Sequence, residues 1–362
     1  MTQRRLIDAA FALATSTAIV LVAIAASIAV IAIAGHSPGA ALSAIWEGAF
    51  GGKDEVAGTL KKMIPLTLVA LAWIVAFSAR RINIGFDGQI TAGGITAAVV
   101  ALEVHGLPAF VHLPLAIAAG VLGGAVYAAL PAWLWAVRHV SEIITTLLLN
   151  FVAVQLLNWL VRGPLQESTH GFAETDLLPS SARWPTMIPS TSLTWDVLFI
   201  PALVVLVAFV LRRTIVGFQL RLTGASEEAA RYAGTRTVRV GALAIVGSGA
   251  IAGLVGSSLI LGSESGVMTD GFSANYGFDG IVVALLARNS PVGCIPAALL
   301  FAALRQGGGL MEARVDVSSS LVQITQGLVV VLLAGSPLIL ARLGAHRRRV
   351  VEDTPAPAVE PL

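Results

Sequence analysis

Apolar runs, interrupted at intervals by glycine, proline and charged residues, extend from residue 11 to residue 341. Lipid offers a backbone N–H or C=O no partner, so runs of this kind must be helical. The pattern predicts helices near residues 11–34, 63–79, 84–102, 114–137, 143–161, 196–211, 240–261, 291–304 and 321–341. A tenth is predicted near 276–288. Its polar start, Ser273 to Asp279, leaves too few apolar residues for a full crossing of about 20. Polar stretches at 35–62, 162–195 and 212–239 read as loops. The second carries Pro164, Pro179, Pro185 and Pro189 and is expected to be extended.

Composition turns this pattern into a fold class. Of 362 residues 56% are apolar and 12% charged, against about 25% charged in a soluble domain. Mean hydropathy is +0.84. The chain reads as an all-α, polytopic integral membrane protein of about ten transmembrane helices, with one membrane domain over 1–349. The tail 350–362, with Pro355, Pro357 and Pro361, is expected to be disordered. The first run, Phe11 to Ala34, exceeds a signal-peptide core of roughly 7–15 residues and reads as an uncleaved helix. Cys294 is the one cysteine and reads as a small buried side chain. No Cys/His cluster points to a metal.

Charge then sets orientation. With the N-terminus inside and strict alternation, Lys53, Lys61, Lys62, Arg162, Arg183, Arg305 and Arg314 fall outside, and the rest of the 23 basic residues fall inside. The positive-inside rule therefore favours both termini inside and an even number of spans. Omitting the short tenth helix would place the cluster at Arg347, Arg348 and Arg349 outside. Because the positive charges sit at helix ends, a pI near 9.0 is no argument for nucleic acid.

Candidate chemistry concentrates in two places. Gly85-Phe86-Asp87-Gly88 recurs as Gly277-Phe278-Asp279-Gly280, which is consistent with two related halves. A carboxylate at the membrane centre costs roughly 2.5–3.5 kcal/mol and usually faces a cavity or a partner. Asp87 and Asp279, with Asn83, Gln89 and Asn150, are candidates for a polar solute path; helix caps at the interface are the alternative. Gln155 and Asn158 read as path or interhelical residues. Trp133, Trp135 and Trp159 read as interface anchors. Glu264 and Asp270 read as outer-loop residues.

The second place is the inside loop. Ser226 is a good N-cap, Glu227 and Glu228 follow in the first turn, and Gly234 is a plausible stop. The result is a short capped helix outside the bilayer, either a connector or a docking element. Ala229, Ala230 and Ala233 would allow close approach, with Arg231 and Tyr232 at the rim. No phosphate loop, zinc-protease motif or serine elbow occurs, so no catalytic residue is assigned and any ATP work would come from another chain.

Five segments in order carry a resemblance. They begin at Asn83-Ile84-Gly85-Phe86-Asp87-Gly88-Gln89, at Glu142-Ile143-Ile144-Thr145-Thr146, at Val161-Arg162-Gly163-Pro164, at Glu228-Ala229-Ala230-Arg231-Tyr232-Ala233-Gly234, and at Gly277-Phe278-Asp279-Gly280. Over about residues 60–342 the chain resembles the nucleoside and simple-sugar branch of ABC importer permeases, within the ribose and branched-chain amino acid permease family. The E-A-A-x-x-x-G pattern at Glu228–Gly234 lacks the apolar I-x-L-P that often follows it. The resemblance implies a permease subunit in a prokaryotic plasma membrane, which is the inner membrane in a Gram-negative cell. It implies no directly bound cofactor. The partners it implies are a cytoplasmic ATP-binding subunit, a second permease, an extracytoplasmic solute-binding protein and a small polar solute. The loop 212–239 would couple to the ATPase through Ser226, Glu228, Ala229, Ala230, Arg231, Tyr232 and Gly234. Two alternatives are an ion- or proton-coupled secondary transporter, which would need no docking helix, and a permease for another solute such as a branched-chain amino acid.

Overall fold

The computed structural model describes residues 37–315 except 170, with a few helical positions between 22 and 32 and between 320 and 327. Apart from those positions, the expected helices at 11–34 and 321–341 and the tail 350–362 lie outside the described residues. The described chain is helical, with no β-strand among its residues. In order, the helices are α1 (Pro38–Phe50), α2 (Lys53–Ser78), α3 (Phe86–Glu103), α4 (Ala109–Arg138) and α5 (Glu142–Val161). There follow α6 (Phe199–Arg213), α7 (Ile215–Ala225), α8 (Glu227–Tyr232), α9 (Thr237–Leu261), α10 (Tyr276–Leu286) and α11 (Cys294–Val315). Among the described residues, six segments are long and apolar enough to cross a membrane: α2, α4, α5, Trp195–Arg213, α9 and α11. At 11 residues, α10 is as short as its polar start implied.

Three expectations need correction. The stretch 35–62 is not a loop, because it contains α1 and the first turns of α2, where Lys61 is held by Glu264 at 3.4 Å. The loop 212–239 holds α7 as well as the short capped helix. The helix expected at 291–304 continues to Val315, which places Arg305 and Arg314 inside α11. The triple glycine 307–309 looks like a helix end, but a side chain on Gly307 would strike the backbone of Ile45, so close packing against α1 explains the residue there. The segment 162–195 is free of α-helix, as its prolines require.

α2 and α9 are mostly buried, whereas most of α4 and α5 faces outward. Small residues knit the centre. Gly120 and Gly124 of α4 meet Gly249 and Gly253 of α9, and Gly93 of α3 completes the junction; a Cβ at Gly124 would lie 2.6 Å from Gly253 Cα. Each helix supplies a small-xxx-small pair that lets two backbones touch, the packing that replaces the hydrophobic drive inside lipid.

The interhelical segments gather at two opposite ends. At one, Arg162 pairs with Asp270 at 3.2 Å, Lys61 with Glu264, and Arg183 donates to the Ser263 carbonyl at 3.1 Å. At the other, Arg81 meets Glu142 at 3.6 Å and Glu227 at 3.9 Å. Glu264 and Asp270, read as outer-loop residues, fasten their loop to α2 and to the end of α5.

Candidate functional site

Between α2 and α3 the chain is not helical. Arg80 adopts φ +53°, residues 81–85 belong to no helix, and α3 begins at Phe86. Gly88 abuts Tyr127, well inside the length of α4, so the break lies at membrane depth. Non-helical backbone there needs partners for its polar groups, and side chains supply them. Asn150 of α5 donates to the Ile84 carbonyl at 3.0 Å and accepts from Gly88 N–H at 2.8 Å, so one side chain serves both edges of the break. Ile84 N–H donates to Thr146 Oγ1 at 3.2 Å. Asn83 and Gln89 bond reciprocally at 2.9 and 3.0 Å, Asn83 also donates to Ser248 Oγ at 2.9 Å, and its Oδ1 accepts from Gly85 N–H. α5 comes this close because a Cβ at Gly85 or Gly88 would crowd Thr146 or Asn150.

The same geometry separates the sequence candidates. Asn83, Gln89 and Asn150 are buried and spend their polar atoms on the protein, so here they brace the break. Asp87 and Asp279 are brought near each other. Asp87 lies in the first turn of α3, and its Oδ1 accepts from Gly277 N–H, at the start of α10, at 3.0 Å. That N–H has no intrahelical partner, so the carboxylate of one helix start satisfies the orphan donor of the other. Asp279, in the first turn of α10, pairs with Arg305 Nη1 at 2.8 Å. Arg305 also stacks on Tyr276, 4.1 Å from the ring centroid, and donates to the Ala274 carbonyl at 2.5 Å.

The two helices leave this meeting point in opposite directions. α3 ends at Leu102 and Glu103, which share a cleft with Pro164 and Asp176 at the first end. α10 ends near Asn289, which accepts from Trp73 Nε1 at 3.1 Å close to the α2 terminus at the other end. Two antiparallel half-helices thus start side by side at depth, each from a Gly-Phe-Asp-Gly segment.

Sequence reasoning missed Arg305, which it placed in an outer loop. A basic residue directly after the apolar run Phe301–Leu304 was the one available signal, and it does not name the partner. It also missed Arg81, and it read Trp135 as an anchor although that ring carries the Arg81 guanidinium at 4.4 Å. Trp133 and Trp159 do face outward. Gln155 is exposed on α5 while Asn150 on the same helix is buried, so the two do not share an inward face.

The short helix α8 matches its reading closely. Ser226 Oγ accepts from Ala229 N–H at 3.2 Å, and the acidic first turn is in place. Gly234 closes the helix at φ +78°. Glu227 pairs with Arg231 at 2.7 Å and accepts from Thr237 Oγ1 at 3.2 Å. The Arg231 hydrogen bond foremost, with that from Thr237, holds the Glu227 carboxyl below the ordinary glutamate range. One expectation changes. Ala230 is fully buried within this chain and offers no surface, while Glu228, Ala229, Arg231 and Tyr232 are exposed, Tyr232 at 87%.

Comparison with known proteins agrees with this architecture. Residues 56–334 match the family model for the branched-chain amino acid transport system permease component. A glucose ABC transporter permease protein of Haloferax volcanii is 38% identical over 83% of this chain and 81% of its own length. A guanosine ABC transporter permease protein of Bacillus subtilis is 30% identical over 91% of this chain and 95% of its own. A nucleoside ABC transporter permease protein of Lactococcus lactis is 32% identical over 75% and 77%. With a half-helix pair at membrane depth, a capped surface helix and this match over most of its length, the chain belongs to that family of multi-pass membrane permeases, in the branch of nucleoside and sugar ABC transporter permeases.

Proposed function

We propose that this chain forms one half of the membrane path of an ATP-driven importer for nucleosides or related simple sugars. The observation that carries this reading is similarity at 30–38% identity, over most of the chain, to permeases named for guanosine, nucleosides and glucose. The path passes the meeting point of α3 and α10, where Asp87 and Asp279 offer carboxylate acceptors suited to hydroxyl donors. Asn83, Gln89 and Asn150 keep that point open as non-helical backbone. Ten membrane segments, both termini cytoplasmic, put α8 and the Arg81 end on the cytoplasmic face of a prokaryotic plasma membrane. The segregation of loop segments to two ends supports this, with the positive-inside bias setting the sign.

ATP is bound by a partner subunit that docks on α8 through Glu228, Ala229, Arg231 and Tyr232. Ser226 and Gly234 fix the ends of that helix, and Ala230 seats it. A second permease completes the path, and a binding protein delivers solute from outside. The test is reconstitution with the ATP-binding subunit and binding protein in proteoliposomes, with labelled guanosine, glucose and leucine as probes. ATP-dependent uptake of guanosine or glucose is expected. Uptake driven by a proton gradient without the ATPase would establish the secondary-transporter reading instead, and uptake of leucine alone would move the solute class.

A further inference from the structure

Arg81 is an element the function has not yet used. It stands at the root of the break, two residues before Asn83, and its side chain is only 16% exposed. Four elements converge on it. Glu142, first residue of α5, lies 3.6 Å from its Nη1. Glu227, first residue of α8, lies 3.9 Å from its Nη2. The Trp135 ring at the end of α4 lies 4.4 Å from its central carbon. A Cβ at Gly241 of α9 would sit 3.3 Å from its Cδ.

The distances carry the argument. A committed arginine–carboxylate pair closes to about 2.7–2.9 Å, as Arg305–Asp279 and Arg231–Glu227 do. Arg81 has closed on neither Glu142 nor Glu227. One guanidinium is shared between carboxylates on two elements, over the face of Trp135. A displacement of α8 by about 1 Å is enough to close the Glu227 pair, given the difference between its separation and a closed pair. The route onward is continuous. The chain runs from Arg81 through Asn83 to Asp87, and the Glu142 carbonyl accepts from Thr146 Oγ1 at 2.6 Å, which in turn accepts from Ile84 N–H.

We propose that Arg81 is a positioning residue that transmits motion of α8 to the α2–α3 break by shifting its ion pair between Glu227 and Glu142. This rests on the permease reading above. A shared cation is a two-state element that both sites bias, the physical requirement for coupling.

The experiment compares wild type, Arg81→Gln, Arg81→Lys and Glu227→Gln in the full complex with ATPase, partner permease and binding protein. Hydrolysis is read with and without binding protein plus a guanosine and glucose mixture, beside uptake and ATPase co-purification. Arg81→Gln is expected to keep the ATPase bound and its unstimulated hydrolysis intact, while stimulation falls about tenfold, within the usual range of coupling free energies. Arg81→Lys should recover part of it, retaining charge without the planar stack. Glu227→Gln, on a helix outside the membrane segments, should lose stimulation without loss of assembly, so the idea stays testable if Arg81→Gln does not assemble. Wild-type stimulation and uptake in an assembled Arg81→Gln or Glu227→Gln complex would overturn the proposal. Failure of the wild-type chain to retain the ATPase would instead remove the permease reading.

Discussion

The two Gly-Phe-Asp-Gly segments are identical in four residues and each places its acid in the first turn of a helix, yet their carboxylates are treated differently. Asp87 meets a neutral backbone N–H from Gly277, whereas Asp279 meets the Arg305 guanidinium. Both sit in the first turn of a helix, where a negative charge complements the dipole. The motif accounts for a helix start with an acid in its first turn, and that much is common to both. What the acid is paired with depends on the neighbouring helix, and α11 brings a cation only to the second. The first carboxylate ties two half-helices together, while the second ties one half-helix to a long span.

Breaking the charged pair should have the largest effect. Arg305→Ala leaves Asp279 as a part-buried charge without its partner and should cost about 3–5 kcal/mol. It should be read as a lowered thermal midpoint of the purified chain in detergent. The double change Arg305→Met with Asp279→Leu should recover most of that loss. If the single and double variants unfold together, the pair is not what Arg305 contributes.

The neutral contact should be the more forgiving. Asp87→Asn keeps an acceptor oxygen for Gly277 N–H and should be nearly silent in stability. Asp87→Ala removes the acceptor and should cost about 1–3 kcal/mol. Asp279→Asn has no such tolerance, because it strips Arg305 of its counter-charge. Equal sensitivity of the two positions to Asn would erase the distinction drawn between them.

Close approach gives a comparable effect by another route. A Cβ at Gly277 would lie 2.5 Å from Asp87 N, so Gly277→Ala should cost about 1–3 kcal/mol. Gly247→Ala on α9 meets nothing within 4 Å and serves as the neutral control in the same melting assay.

The smallest effect lies at the surface. Glu227 is held below the ordinary glutamate range by Arg231 first and Thr237 next. A depressed carboxyl stabilises above its unfolded-state pKa and loses that contribution as pH falls through its folded value. With the side chain 39% exposed, screening reduces the gain to at most a few tenths of a kcal/mol. Acidification should therefore loosen α8, seen as lower amide-exchange protection factors at Ala229–Ala233 once the slower intrinsic exchange at low pH is divided out, without moving the melting of the membrane helices. A flat protection profile across that pH range would mean that Glu227 does not hold the helix.

Much of this was legible in the residues. Apolar runs locate most of the spans because lipid leaves the backbone no other conformation. Ser226 and Gly234 marked the ends of α8 because capping is a local event, complete within a few residues. The polar start of α10 foretold its shortness. Helix ends in α2 and α11 were misplaced where Lys61 and Arg305 looked like loop residues; each is held by a carboxylate more than 20 residues away in sequence, and no local pattern reveals that. The glycine junction of α3, α4 and α9 was likewise invisible, since one glycine looks like another until two backbones meet.

The division follows from range. Sequence alone determined what one helix can decide with the solvent around it: that it is helical, where it starts, that it lies in lipid, and which family its motifs resemble. Tertiary structure decided every partnership at membrane depth. Whether a buried amide lines a path or braces a break, and whether an acid meets a backbone N–H or a guanidinium, depends on which helix stands opposite. In a medium without water the identity of that neighbour fixes the energy of each polar group.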